Sequence, residues 1–226
     1  MRILAISPHP DDVEYSIPGI LLKISKRIEN VSITIAYNTK YDLGDNDVTE
    51  SHCTRKHEAQ MACRILNAEY VEYSLNDSLV STSKMILDIM PDIVFLPYSN
   101  DSNCIHQEVT ANFIKALEIA RKSNFTRTNS VGQLFYYEAY SCVKFEADYI
   151  IDVSEVFCEA RKILMCHKVG INSLKSLPYK FDIMHQLNGL KCAMPYGEGL
   201  MRDKSAQYQW KSNMKLLAEF LYKLMY

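Results

Sequence analysis

The sequence predicts an α/β fold of three layers, α/β/α, on a mostly parallel sheet with helices on both faces. Three observations predict it. Over residues 2–122, short apolar or β-branched runs alternate with longer amphipathic segments, the pattern of strand–helix–strand crossovers. Ile93-Val94-Phe95-Leu96 is apolar at every position, as a strand buried on both faces is. The first run ends in Ser7-Pro8-His9-Pro10-Asp11-Asp12, and a helical pattern starts at Val13, which puts charged groups at the carboxyl end of a strand.

Arg2 to Ile6 is the first strand. The helix after it carries Ile17, Ile20, Leu21, Ile24 and Ile28 at three- and four-residue spacing, an apolar stripe for a sheet. Val31 to Tyr37 is β-branched and reads as the second strand. Asn38 to Thr49, with Gly44, Asp45, Asn46 and Asp47, is a polar loop. A helix from Glu50 to Leu66 presents Met61, Ile65 and Leu66 as its apolar side. Tyr70 to Tyr73 is a short strand, Ser81 to Met90 a helix, Ile93 to Leu96 the buried strand, and Pro97 to Ile105 a polar loop. The helix from Glu108 to Lys122 has Val109, Phe113, Leu117 and Ala120 on one side. That alternation is Rossmann-like. Gln133 to Tyr137, after a turn at Gly132, and Tyr149 to Val153 are further strands, and Ser154-Glu155 can cap a helix reaching about Lys168. Residues 171–212 read as irregular covering segments. Leu216 to Met225 is an amphipathic helix that either docks on the body or joins two copies. The expectation is one domain over 1–226, with 171–226 as cover.

The bulk composition excludes several classes. An apolar share of 48% and a charged share of 23% are ordinary for a core-forming globule. A net charge of −2 gives no basic face for nucleic acid. No apolar run approaches the ~20 residues of a membrane span, and Pro8 arrives too early for a secretory signal. Seven cysteines without a CxxC pair read as reduced thiols in a cytoplasm, most of them small buried hydrophobes. The loop after the first strand has no GxGxxG or GxxxxGK[ST], and two carboxylates there would repel phosphate.

The loop at His9 is stiff, because each proline fixes its own φ and pushes Ser7 or His9 towards an extended backbone. His nitrogen and Asp oxygen suit zinc or ferrous iron. The competing reading is a helix cap by Asp12, or by Asp11 with Glu14, but capping needs one carboxylate and leaves His9 without a task. An open metal site usually takes three protein ligands. His106 is the best third candidate, since it also sits between a strand and a helix, and two such loops of a parallel sheet can converge.

The string Ser7-Pro8-His9-Pro10-Asp11-Asp12-Val13-Glu14 resembles the signature of the PIG-L or LmbE-like family of metal-dependent de-N-acetylases. Asn100 to His106 resembles the family's second motif, an Asp-containing loop ending in a metal-binding histidine. Arg55-Lys56-His57-Glu58 matches an Arg-x-x-Glu feature, and Asp77 falls where the family keeps an Asp. Tyr136-Tyr137-Glu138 and Tyr196-Gly197-Glu198 resemble weaker positions, so the match runs over about residues 1–200. The resemblance implies that His9, Asp12 and His106 bind the metal and that Asp11 is the general base for its water. It also implies that Arg55 and Asp77 contact a sugar's hydroxyls; read without it, they are a surface ion pair and a turn residue. Tyr137, Glu138 and Glu198 read better as strand-end or solvated residues, and His167 as structural.

Three departures stand out. Asn103 occupies a position where the family often has a histidine, and an amide there can only give a neutral hydrogen bond to substrate or oxyanion. Ile105 replaces the Asp that usually precedes the metal histidine, so the carboxylate that orients the imidazole is expected to be lost. Ser16 and Pro18 stand where the family commonly has glycines, with Gly19 kept. The expected function is hydrolysis of an N-acetyl or other small N-acyl group from an amino-sugar conjugate in the cytoplasm. Zn2+ is the expected cofactor, with Fe2+ or another divalent ion as the alternative. The competing expectation is a metal-binding relative without hydrolysis, serving as a binding or assembly subunit.

Overall fold

The computed structural model describes residues 1–39, 48–123, 132–204 and 214–225. The predicted polar loop lies, from 40 to 47, outside the described residues, as do 205–212 of the covering segment. In chain order the elements are β1 (Arg2–Ser7), α1 (Asp12–Ser16), α2 (Pro18–Arg27), β2 (Ser32–Asn38), α3 (Val48–Leu66), β3 (Glu69–Tyr73), α4 (Leu79–Ile89) and β4 (Ile93–Pro97). Then come α5 (Cys104–Ser123), β5 (Gln133–Tyr137), β6 (Tyr149–Asp152), α6 (Phe157–Leu164), α7 (Lys168–Ser173), α8 (Leu177–Leu190), β7 (Gly197–Arg202) and α9 (Met214–Met225). The seven strands form one sheet in the order β3-β2-β1-β4-β5-β7-β6. β1 to β5 run parallel, and β7 is antiparallel to both β5 and β6.

The pleat of β1 explains the three layers. Ile3 and Ala5 face one core with Ile20, Leu21 and Ala62, while Leu4 and Ile6 face the other with Val94, Phe113 and Leu117. A stretch buried on both faces is apolar, and residues 3–6 of β1 and 93–97 of β4 are. The chain leaves β1 for β2 on one side and returns from β3 to β4 on the other, so the loops after β1 and β4 part at a switch point.

Several expectations change. The first helix is two, α1 and α2, because Pro18 cannot continue α1 and instead takes the first turn of α2. On α3 the face that meets the core is Ala59, Ala62, Cys63 and Leu66, whereas Met61 and Ile65 are 42% and 41% exposed. Small residues let α3 approach closely; the larger ones point outward. The helix from Ser154 is also two pieces, α6 and α7. Residues 171–204 are not irregular: they hold α8 and β7, and β7 pairs centrally between β5 and β6. Glu198 on β7 is fully buried, and Tyr137 is buried with its hydroxyl donating to the Ile6 carbonyl at 2.7 Å, so neither is solvated. All seven cysteines are free, but Cys53, Cys104, Cys158 and Cys192 are exposed, against the expected burial. α9 docks on the body: Phe220 and Leu224 are buried, and the Phe220 ring lies 6.1 Å from that of Phe135.

Candidate metal centre

β1 delivers the chain to Ser7, whose hydroxyl donates to the His9 carbonyl at 2.5 Å and holds the loop in a tight turn. Within that turn the His9 amide donates to Asp12 Oδ2 at 2.8 Å. Asp11 stands at the N-cap of α1 but makes no capping bond with its side chain, so the cap reading fails and both carboxylates are available to the site. β4 delivers the second loop, and His106 enters from the first turn of α5, fully buried.

Three ligand atoms converge there. His9 Nδ1 lies 3.0 Å from Asp12 Oδ2 and 3.1 Å from His106 Nε2, and His106 Nε2 lies 3.1 Å from Asp12 Oδ2. Metal–ligand bonds of about 2.0–2.1 Å at tetrahedral angles set donor–donor edges of about 3.3 Å, so this triangle fits a small cation within a few tenths of an ångström. Two further observations support the fit. Asp12 Oδ1 is buried with no hydrogen-bond partner among the described residues. The far nitrogen of His106, Nδ1, lies 2.8 Å from Asp101 Oδ2, which places its proton there and leaves Nε2 bare towards the triangle.

That last contact corrects an expectation. The carboxylate behind His106 is not lost with Ile105; Asp101 supplies it from five residues upstream. Asp101 is itself pinned, with Oδ1 accepting from Ser141 Oγ at 2.6 Å and from the Asn103 amide at 2.7 Å. The electrostatics follow from burial and proximity. Burial alone would raise Asp12, but the imidazoles of His106 and His9 outweigh it and hold its carboxyl well below the usual range. Burial would lower His106, yet Asp12 and Asp101 push it up to about 10. A cation here would take the place of that proton.

Asp11 is set apart from the triangle. Burial and the neighbouring Asp12 raise its carboxyl, while Arg55 and His9 oppose them. Arg55, 8% exposed, lines the same cavity of about 110 Å³ as His9, Asp11 and Tyr140. α7 forms its roof. A Cβ on Gly170 would come within 2.1 Å of Asp11 Oδ2, so any larger residue there would have to displace that carboxylate. Glu58 holds α7 in place by accepting from the Val169 amide at 3.2 Å.

The remaining sequence candidates separate. Asn103 caps α5, with Oδ1 accepting from the Ile105 amide at 2.9 Å. Asp77 lies elsewhere: it accepts from the Ser74 amide at 2.9 Å in an exposed turn and lines a different recess, with Tyr73, Thr82 and Asn112. Tyr140 and Gly170 were not singled out by sequence reasoning, since each becomes a site residue only through a partner far along the chain. Asp101 left a trace only as the Asp of the second loop.

Comparison with known proteins gives a family and a fold. The sequence model of PIG-L, described as GlcNAc-PI de-N-acetylase, matches residues 4–117. Among solved structures, the conserved protein TT1542 from Thermus thermophilus superposes with a TM-score of 0.74 at 20% identity, covering 88% of this chain and 93% of its own. GalB, the 4-carboxy-2-hydroxymuconate hydratase from Pseudomonas putida, gives 0.76 at 14% identity over 94% and 99%. The N,N'-diacetylchitobiose deacetylase from Pyrococcus horikoshii gives 0.73 at 20% identity over 95% and 88%. At these identities the likeness is one of fold.

Proposed function

The chain belongs to the PIG-L family, and from that premise we propose that it hydrolyses an N-acetyl or other small N-acyl group on an amino-sugar conjugate, using a divalent metal held by His9, Asp12 and His106. The observation that carries this reading is the closed triangle of two imidazoles and one carboxylate, with the Asp11 carboxylate lining the same cavity as His9. Zinc is the first choice for two nitrogens and an oxygen, with ferrous iron next. Such a metal supplies a Lewis acid that acidifies a water and polarises the acyl carbonyl.

The rest belongs to the chain. Asp11 takes the proton of the attacking water, a task suited to a partly desolvated carboxyl whose affinity for protons is raised. The same proton then leaves on the departing amine, so water adds hydroxyl to the acyl carbon and hydrogen to nitrogen. Arg55 borders Asp11 and can both steady its charge and meet a sugar hydroxyl; Asp77, in its separate recess, serves the sugar only if the conjugate extends that far. The cavity under α7 holds several water molecules' worth of space, enough for an acyl group but not for the whole sugar, which must lie outside. Seven free thiols fit a cytoplasmic setting, and no described helix is long and apolar enough to cross a membrane.

The test is amine release from a panel of N-acetylated sugars and sugar nucleotides, with and without chelator. The wild type should release amine only with metal, and Asp11→Asn should keep its metal while turnover falls roughly 10²–10⁴-fold. Metal retained without amine release from any substrate would favour the non-hydrolytic subunit instead, a reading that loses one of its supports now that Asp101 backs His106.

A further inference from the structure

The cavity beside the metal triangle has a lining of two kinds. His9 and Asp11 reach it from the metal loop, and Arg55 from α3. Leu174 and Leu177 reach it from the turn that joins α7 to α8. Among the described residues of the lining, these two leucines alone are hydrocarbon. Backbone bonds fix their turn: the Leu174 amide donates to the Gly170 carbonyl, and the Leu177 amide to the Leu174 carbonyl, each at 2.8 Å. Leu177 is 2% exposed and belongs to the same buried core as Phe157 and Phe181. Leu174 is half-buried and packs against that core. Neither side chain can swing aside without opening it.

An acyl group on nitrogen is two-ended as well. Its carbonyl belongs with His9 and Asp11, and its alkyl end, which makes no hydrogen bonds, belongs with the leucines. The volume then limits its length. An apolar cavity of about 150 Å³ takes up the six carbons of benzene, so space on this scale admits about four non-hydrogen atoms. The cavity here is about 110 Å³. An acetamido group, with its methyl, carbonyl carbon, oxygen and nitrogen, fills it. A further methylene meets Leu174 or Leu177.

We propose that Leu174 and Leu177 determine acyl specificity: they close the acyl pocket, so that acetyl is accepted and propionyl and longer groups are excluded. The proposal rests on the acyl-hydrolase reading, but it is tested on free carboxylic acids, which present the same tails without turnover.

Zinc-loaded wild type, Leu174→Ala and Leu174→Phe are titrated by calorimetry with formate, acetate, propionate and butyrate. Zinc content and thermal midpoint are measured for each protein. Leu174 is varied because it is only half-buried, whereas truncating Leu177 would open the core. Wild-type affinity should rise from formate to acetate and then fall roughly tenfold or more at propionate. An open-ended pocket would instead gain about fourfold with each added methylene. Leu174→Ala should move the break beyond propionate, and Leu174→Phe should leave acetate binding no better than formate. The kcat/KM for amine release from N-acetyl, N-propionyl and N-butyryl glucosamine should follow the same order. Wild type binding butyrate as tightly as acetate, no acetate binding by wild type, or a break unmoved in both variants overturns the closure by leucines. A length limit in binding without amine release from any N-acyl sugar overturns the functional reading and leaves the pocket standing.

Discussion

At Asp12 and Asp11, adjacent residues meet opposite fields. Asp12 faces two imidazoles and is held ionised; Asp11 faces Asp12 and a desolvated wall and is raised. One backbone step separates a ligand from a candidate base, because neighbouring side chains on a turn diverge. His106 depends on a residue of the same loop in a less obvious way. Asp101 fixes which imidazole nitrogen carries the proton, so Asp101→Asn should leave the fold intact but weaken zinc binding 10–100-fold, read by competition with a chelating dye. Unchanged affinity would mean that the tautomer is set by another group. The sequence pointed to His9 and His106 on their strand–loop–helix positions alone. It missed the supporting carboxylate, because the chain distance between Asp101 and His106 is bridged by the first turn of a helix rather than by adjacency.

At the scale of elements, the metal loop is braced from the far side of the sheet. α2 begins directly behind that loop, and its Gly19 and Ile20 amides both donate to the Glu198 carboxylate at 2.7 Å. His185 on α8 lies 3.0 Å from the same group. An acidic side chain at a helix N-terminus satisfies amides that no residue of α2 can reach, and it meets the positive end of the helix. Gly19 is required here for space, since a Cβ would stand 2.7 Å from that of Val153 and 2.8 Å from Glu198 Oε1. Glu198→Gln keeps one acceptor and turns an NH2 towards a buried N–H. It should therefore cost about 2–3 kcal/mol of stability, measured as a lower urea midpoint. A loss under about 0.5 kcal/mol, the range of ordinary surface changes, would show that α2 is held by packing alone.

At the scale of the whole molecule, two buried groups behind the site each add a pH-dependent contribution to stability. Burial pushes Glu14 up to about 8, although a hydrogen bond from Tyr37 works against it. Burial, helped by Arg55, pushes His167 down to about 3. Their facing atoms, Glu14 Oε2 and His167 Nε2, are 3.7 Å apart, too far for a hydrogen bond. From its ordinary value of 4.5, Glu14 contributes fully below that pH and loses its contribution as pH climbs to about 8. From 6.5, His167 contributes fully above that pH and loses it as pH drops towards about 3. Between 4.5 and 6.5 the two slopes, each about 1.4 kcal/mol per pH unit, cancel. Their joint contribution is thus flat there and falls on both sides. Urea midpoints across pH should show Glu14→Gln gaining on the wild type between 6.5 and 8, and a constant difference over that span would rule out a buried neutral Glu14.

The layers and half of the site were legible in the chain alone. Strand and helix periods are set within a few residues, so the alternation through α5 could be read, as could the rigid turn that carries His9, Asp11 and Asp12. The closing part of the chain was less so. β7 holds two glycines and a buried glutamate instead of an apolar alternation, and its partners β5 and β6 recognise it only across the assembled sheet. Tertiary packing settled what required convergence from distant positions: Tyr140 beside His106, Gly170 above Asp11 and Glu198 under α2. Those contacts depend on strand order and on how closely two backbones approach, and neither quantity is written in any local stretch of the chain.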